Sequence, residues 1–585
     1  MSLEQKLNPI TTEIIRNAFL SAAEEMVVSL FRSSYSPIIY EMKDCAVALY
    51  DENLNVLGQS SGVPLFLGNL DETVRYAIEY YGGSEHFNDG DVFILNDSYI
   101  SGTHLNDMTV FAPIFYHGDL VGYSANRAHW LDVGSKEPLA PMDSTSIFQE
   151  GIRLGPLKIY DRGVPRQDVI DTICMNSRFT RNAHGDLNGM IAGCRTGEKR
   201  LRVLIDRFGM DTIRQATSEI FEQTAKLEKE FLMDVPPGVY CAEGILDNDG
   251  VSDDPLTVKV KLTIDEDRNI NVDLTGSSPQ AAGSTNTAMA QTISAVRVAY
   301  KALVLPEIPV TGGSFRGLTV TVPPKTIFTA EEPAAFSWYF SHLGLLIDLM
   351  IKAFEKAKPE MTAGAHYGDS MVVYLTGLDP ETGELYAHDE PTVGGWGGNS
   401  KGDGQDALIN VQNGDFKNFP AEICEHILPC LMESYSIRQD SGGAGKFRGG
   451  NGVTRTYRTL EEGVNVYLWF ERSKMPAWGV LGGDSAKGPQ ITIYDENGRI
   501  VSEALKLNNW RLGKNWVIEM QTGGGGGYGN PLDRDISRVE YDVLNRFVSK
   551  EKAASAYGVV IDNDGKADQE ATEALRAKMR LELNT

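Results

Sequence analysis

Cysteine is sparse in this 585-residue chain. The six residues, Cys45, Cys174, Cys194, Cys241, Cys424 and Cys430, are scattered, and none forms a CxxC pair. That excludes a disulfide framework and a clustered-thiol zinc site, and it suits a reducing cytoplasm with most thiols buried as small hydrophobes. No apolar run reaches the roughly 18 residues a membrane span needs. The N-terminal stretch lacks the basic-then-apolar order of a secretory signal, so a cytoplasmic location is expected. Positive charge is also short. Fifty-four Lys and Arg stand against 80 Asp and Glu, a formal net charge of −26. With no basic stripe to relieve it, such a surface repels nucleic acid. A nucleotide-binding loop is missing too. Gly445-Lys446 is followed by Phe447 where Ser or Thr is needed, and Asp440 stands where the first Gly should be.

What is plentiful is glycine, 59 residues clustered in short motifs, and hydrophobic content of 42 %, that of a soluble globular protein. The chain is too long for one core; about three or four domains are expected. Composition shifts divide it into 1–235, an α/β region; 236–390, a second α/β region; 391–534, glycine-rich and β; and 535–585, a charged helical tail with Val539, Val543 and Phe547 on one face. A long helix opens at Pro9. Helical periodicity fills 167–209, interrupted at Asn182–Asp186, and 212–232. Cys45–Tyr50 and Leu54–Gln59 read as a hairpin, as do Leu256–Ile264 and Ile270–Leu274. Because the clearest strand pairs are hairpins and not βαβ units, the expected class is α/β, multi-domain, with mixed, largely antiparallel sheets and flanking helices. The glycine-dense motifs at 394–398, 440–450 and 522–530 read as structural turns or as close-approach loops; Lys446 and Arg448 make an anion site there a second possibility.

Three of the nine histidines fall in one stretch, Asn96–Asp132. Met108–Tyr116 and Leu120–Ala128 read as strands joined by the turn His117-Gly118-Asp119. Folded about Gly118, this hairpin sets Asp107 opposite His129, with His104 one short loop step away; His117 falls at the far end and is set aside. Two imidazoles and a carboxylate suit a divalent transition metal with open positions. The competing reading is a polar hairpin end with a hydrogen-bonded His. Asp44, at the entrance of the Cys45 strand, is either a solvated acid or a fourth ligand. Asp97 and Asp132 lie near enough to orient a water or to brace a His ligand.

The chain is similar to the hydantoinase B subunits, which are related to the C-terminal half of 5-oxoprolinase and to the acetone carboxylase α subunits. The motifs that carry the resemblance run along nearly the whole chain: NPITTEIIRN at the start, Lys43-Asp44-Cys45-Ala46, Asn96-Asp97 through His129, His184-Gly185-Asp186-Leu187, Asp273-Leu274-Thr275-Gly276-Ser277, the GGWGG loop with Asp403-Gly404, Pro420-Ala421-Glu422, the run Asp440–Gly450, Glu471-Arg472, and the late polyglycine loop with Gly529-Asn530-Pro531. The resemblance implies a hydantoinase A-type partner, an actin-like ATPase that binds ATP, in an α2β2 hetero-oligomer. It also implies that His104, Asp107 and His129 hold the metal, zinc by default with manganese or iron as alternatives, and that Asp44 joins them. The implied activity is ATP-dependent hydrolysis of a cyclic amide, a hydantoin or a lactam. An ATP-dependent ketone carboxylase and a non-catalytic scaffold are the rival readings. The chain departs from many relatives at Phe66, where they carry His, and at Pro309–Gly313.

Overall fold

The computed structural model describes residues 7–583. The chain divides into two compact units built from interleaved segments. Of the described residues, unit 1 comprises 7–238, 263–343 and 411–417, and unit 2 comprises 239–262, 344–410 and 418–583. Composition suggested four consecutive segments. A chain that leaves a unit and returns to it shifts no composition at the crossing, so the interleaving has no local signature.

Unit 1 is built on a seven-stranded sheet: β1 (Cys45–Asp51), β2 (Val56–Gln59), β3 (Val92–Leu95), β4 (Asp107–Tyr116), β5 (Asp119–His129), β6 (Leu157–Asp161) and β7 (Val164–Pro165), in the order β2-β1-β5-β4-β3-β6-β7. Every adjacent pair is antiparallel. Helix Pro9–Ser33, with Pro9 in its first turn and the Asn8 side chain accepting from Ile10 N–H, packs along helix Thr180–Phe208. That second helix covers one face of β4 and β5, where Ser124 and Asn126 donate to the carbonyls of Cys194 and Met190. The opposite face carries Phe93, Phe111, Tyr123 and Ala125, packed under helix Leu70–Tyr80. Phe93 and Phe111 stack at 4.8 Å. With both faces covered, the central strands are buried almost end to end, and only the alternation of partners marks the two sides. The parallel pair Ile270–Asp273 and Leu318–Thr321 also belongs to this unit.

Helix Thr180–Phe208 runs unbroken through Asn182–Asp186, where a break was expected. Gly185 is there for space: a Cβ would sit 2.2 Å from the Tyr35 ring. Asp186 is buried and accepts from the N–H groups of Tyr35 and Ser36, so a Gly-Asp pair that resembles a breaker is a packing and anchoring site.

Unit 2 holds a four-stranded antiparallel sheet, Leu385–Pro391, Val372–Leu378, Asn465–Trp469 and Lys506–Arg511, and a five-stranded one, Cys430–Ile437, Val453–Thr459, Val517–Gln521, Gln490–Tyr494 and Ile500–Ser502. The tail is helical as expected. Val539, Val548, Ala553 and Tyr557 form a small core with Ala444, so it docks on its own chain.

The glycine motifs of unit 2 are neither mobile loops nor surface turns. Gly524, Gly525, Gly526 and Gly527 donate in turn to the carbonyls of Lys487, Gly450, Ala365 and Asp484. Gly523 and Gly526 accept from Gly395 and Gly398. Residues three apart thus bond to the same neighbouring segment. That is the periodicity of an extended helix with about three residues per turn and no internal hydrogen bonds. The run is the central rod of a bundle whose outer rods come from 364–367, 395–398, 442–450 and 478–487. Rods this close leave no room for side chains: a Cβ on Gly526 would lie 1.8 Å from the Trp478 carbonyl oxygen, and one on Gly525 2.0 Å from that of Trp396.

Of the six cysteines, five are buried and free, and Cys241 is exposed and free. No described helix is long and apolar enough to cross a membrane.

Candidate metal centre

The hairpin β4–β5 turns at His117 and Gly118, both with positive φ (52° and 94°), as a two-residue turn with the twist of the flanking strands requires. From Tyr116↔Asp119 the ladder runs to Phe115↔Leu120; one residue, Val121, is then left over, and pairing resumes at Ile114↔Gly122. From there it continues unbroken to Asp107↔His129. The next pair closes through Trp130 N–H to the Asn106 carbonyl at 2.9 Å.

His104 reaches the same mouth by a short detour. Asp97 caps helix Ser98–Ser101, accepting from Tyr99 N–H at 3.1 Å, and Gly102 at φ 77° ends that turn. The Asn96 side chain ties the loop down, donating to the Leu105 carbonyl and accepting from Leu154 N–H. Asp107 N–H donates to the His104 carbonyl at 3.2 Å, folding His104 back over Asp107.

Three donor atoms converge. His104 Nε2 lies 2.9 Å from Asp107 Oδ1 and 2.9 Å from His129 Nδ1, and His129 Nδ1 lies 3.1 Å from Asp107 Oδ1. The residues are 6 %, 0 % and 2 % exposed, so water does not screen them. His104 Nδ1 is 3.1 Å from the Ser337 carbonyl, which only accepts. That nitrogen therefore carries the proton, and Nε2 of the neutral ring presents a lone pair toward a carboxylate oxygen. Lone pairs at such spacing repel unless a cation stands among them. A divalent metal meets that need, since ligands about 2.1 Å from a tetrahedral ion stand a little over 3 Å apart. Without one, a proton must serve. Burial alone would lower His104 and raise Asp107; each overrides the other, so that His104 is raised and Asp107 held well below the carboxylate range, while burial lowers His129. The residues present fit a metal.

The surroundings fix this geometry. Tyr339 Oη donates to Asp107 Oδ2 at 3.1 Å, leaving Oδ1 for the centre, and its ring meets His104 edge-on at 5.1 Å. Glu150, fully buried, accepts from Phe336 and Ser337 N–H and so holds the carbonyl that orients His104. Arg127, on the same face as His129 and two residues before it, donates to Thr109, Asn69 and Thr73 and places a buried positive charge beside Asp107. Phe66 lies under its guanidinium, 5.6 Å from the ring centre. None of these partners was anticipated. Arg127 had a signal, its even spacing from His129 along one strand. Tyr339, 232 residues from Asp107, and Glu150 had none.

Asp44 stands at the edge. Its carbonyl accepts from His129 N–H at 3.1 Å, and its charge is felt by the Tyr339 hydroxyl, but its carboxylate is not among the three mutually close donors. Asp132 pairs with Arg178, and Asp97 is spent on its cap with Arg153 3.6 Å away. The segments around Phe66 and Pro309 wall one cavity of about 840 Å³, contributing Pro64, Leu67 and Gly68 from one side and Pro309, Val310 and Thr311 from the other.

With this geometry in hand, similarity to known proteins is informative. The family model for hydantoinase B/oxoprolinase matches residues 8–531. The putative B-type subunit of a D-/L-hydantoinase from Pseudomonas sp. (strain NS671) is 31 % identical over 589 residues, covering 98 % of each chain. The crystal structure of an ATP-dependent caprolactamase from Pseudomonas jessenii superposes with a TM-score of 0.88 at 28 % identity, over 98 % of this chain and 100 % of that one. A nucleotide-free acetone carboxylase superposes at 0.89 over 98 % of this chain and 83 % of that one; at 20 % identity it speaks for the fold alone. A mixed, largely antiparallel α/β fold shared end to end, and a family model that spans most of the sequence, make this chain a member of the hydantoinase B/oxoprolinase family.

Proposed function

We propose that this chain is the metal-bearing B-type subunit of an ATP-dependent hydrolase of cyclic amides, hydantoins or lactams. The observation that carries the reading is the buried triangle of His104, Asp107 and His129, whose lone pairs need a cation. It occurs in a chain two of whose relatives, matched over nearly their full length, are named for a hydantoinase and a caprolactamase. An unstrained amide lacks a good leaving group, so ATP is spent to activate its carbonyl oxygen. Because the sequence lacks a phosphate-binding loop, that step is assigned to an ATPase partner of the hydantoinase A type in a hetero-oligomer, α2β2 in the simplest arrangement.

A divalent ion at the triangle, zinc by default and manganese or iron otherwise, supplies Lewis acidity and lowers the pKa of water toward neutrality. The protein's own groups set the conditions for this. Ser337, held by Glu150, fixes the His104 tautomer. Tyr339 reserves one oxygen of Asp107 for the centre. Arg127 offsets the charge of that carboxylate inside a sheet closed to water. Asp44, next to His129 on the ladder, is the fourth ligand in this reading. Asp97 and Asp132 act through position, one shaping the His104 loop and the other fastening the chain just beyond His129. The cavity walled by the Phe66 and Pro309 segments is the space on which the choice of cyclic amide depends.

The test is co-expression with the neighbouring ATPase subunit, followed by ATP turnover and product assays on hydantoins, lactams and ketones with and without bicarbonate. Amide-dependent ATP hydrolysis that is lost with metal removal is expected. ATP turnover that requires bicarbonate and a ketone would replace this reading with a carboxylase.

A further inference from the structure

A second convergence of metal-binding side chains lies in unit 2, on different elements. His388 and Glu390 stand two apart on strand Leu385–Pro391, so both project from one face. Cys424 comes from helix Ala421–Ile427. His388 Nε2 is 3.1 Å from Glu390 Oε2 and 3.9 Å from Cys424 Sγ, and the three donor atoms lie within 4.8 Å of one another. All three residues are at most 2 % exposed.

The surroundings are arranged about Glu390. Arg455 and Tyr457, two apart on strand Val453–Thr459, both reach it: Arg455 donates to Oε1 at 2.7 Å, and Tyr457 Oη to Oε2 at 3.0 Å. Both oxygens of Glu390 thus serve as acceptors, as those of a carboxylate do. Phe419 packs edge-on against the His388 ring at 4.9 Å and holds its plane. If the cluster were only a hydrogen-bonded pair, His388 and Glu390 would suffice. A thiol brought to the same nitrogen from a separate helix adds little to such a pair, since 3.9 Å is the outer edge of a sulfur hydrogen bond, itself a weak one. It does complete the imidazole, carboxylate and sulfur set that borderline-soft ions take.

We propose that His388 Nε2, Glu390 Oε2 and Cys424 Sγ form a second metal site, for a divalent ion of the zinc class, separate from the hairpin centre. Arg455 occupies the far carboxylate oxygen and orients the near one, the role a neighbouring donor plays behind a ligating carboxylate. On loading, a metal–sulfur bond replaces the S–H bond of Cys424, and the proton leaves to solvent. The ion then clips helix Ala421–Ile427 to the sheet strand Leu385–Pro391. A nitrogen–oxygen–sulfur set distinguishes this site chemically from the sulfur-free hairpin triangle.

That difference supplies the test. Full-length protein stripped with a chelator is titrated with Co²⁺ and followed by absorption. Thiolate ligation gives a near-ultraviolet sulfur-to-cobalt charge-transfer band that nitrogen and oxygen ligands cannot produce. The band is expected in the wild type, retained in His104→Ala/His129→Ala and lost in Cys424→Ser. The metal count should be about two per chain in the wild type and about one in each variant. Wild-type protein that binds cobalt without the band, or a band that survives in Cys424→Ser, overturns the proposal. Should the serine variant fail to fold, His388→Ala, which leaves every thiol in place, makes the same test: a band of unchanged intensity there overturns the proposal.

Discussion

The hairpin mouth of unit 1 and the glycine bundle of unit 2 solve the same problem, bringing distant chain segments to one buried point, in opposite ways. At the mouth, side chains meet because two adjacent strands pair in register. Recognition is local, and a handful of atoms matter. In the bundle, side chains are excluded, and five separate segments meet through main-chain N–H and carbonyl groups alone. The first arrangement tolerates loss of its side chains and loses only chemistry. The second tolerates no added side chain, and any addition threatens the unit.

The largest expected effect follows from that contrast. Gly526→Val forces carbon atoms into the space of the Trp478 carbonyl and parts the rods. Destabilisation of about 4 kcal/mol or more is expected, seen as insoluble expression or early loss of unit 2 on heating. A variant with an unchanged melting curve would sink the account of the bundle. His104→Ala and His129→Ala should do the reverse. Both remain folded by circular dichroism, while the ion of the hairpin centre and amide-dependent ATP turnover disappear; full metal content and normal turnover in both would break the site assignment. Tyr339→Phe keeps the ring and removes the hydroxyl from Asp107, so metal affinity should drop about 10–100-fold with the fold retained, as competition with a chromophoric chelator would show.

Glu150 gives a smaller, pH-dependent effect. Burial pushes its carboxyl up to about 7 against a usual 4.5, despite the N–H bonds that lower it. A folded-state pKa above the unfolded one means the folded protein holds a proton that the unfolded chain releases. The contribution of Glu150 to stability is therefore fully present below 4.5 and is lost as pH rises through 7. Glu150→Gln should flatten that slope in thermal unfolding across this range; an identical slope would reject the assignment. The smallest effect is Gly118→Ala. This glycine serves a positive φ with no heavy atom near its absent Cβ, so the cost should be about 1 kcal/mol. Set beside Gly526, it separates glycine kept for backbone conformation from glycine kept for space.

The sequence carried these two regions very unequally. Alternation and a fold about Gly118 placed Asp107 opposite His129, as found, although the turn itself pairs Tyr116 with Asp119 and the unmatched Val121 restores the expected register. The same local signals gave the long first helix and the docked tail. They failed where the cause lay elsewhere in the chain. Gly185 resembled a breaker because the Tyr35 ring it accommodates is far away in sequence. Ser337, Tyr339 and Glu150 reach the centre through long-range packing that no periodicity encodes. The glycine motifs were visible as motifs, but their spacing reveals nothing about which rods they join.

Val121 carries a consequence of its own. It is the one residue of the hairpin without a partner, and it lies at the far end from the histidines. Opposed residues in an antiparallel pair share a side, and every further step along either strand changes sides. Counted straight from the turn pair Tyr116↔Asp119, His129 would fall opposite Asn106, and Asp107 opposite Ala128. The imidazole and the carboxylate would then point to opposite faces of the sheet. One unmatched valine restores the parity. Whether this hairpin can gather a metal-binding triad at all is thus decided by a residue that touches none of its members, and removing it would reverse the count while leaving every donor in the sequence.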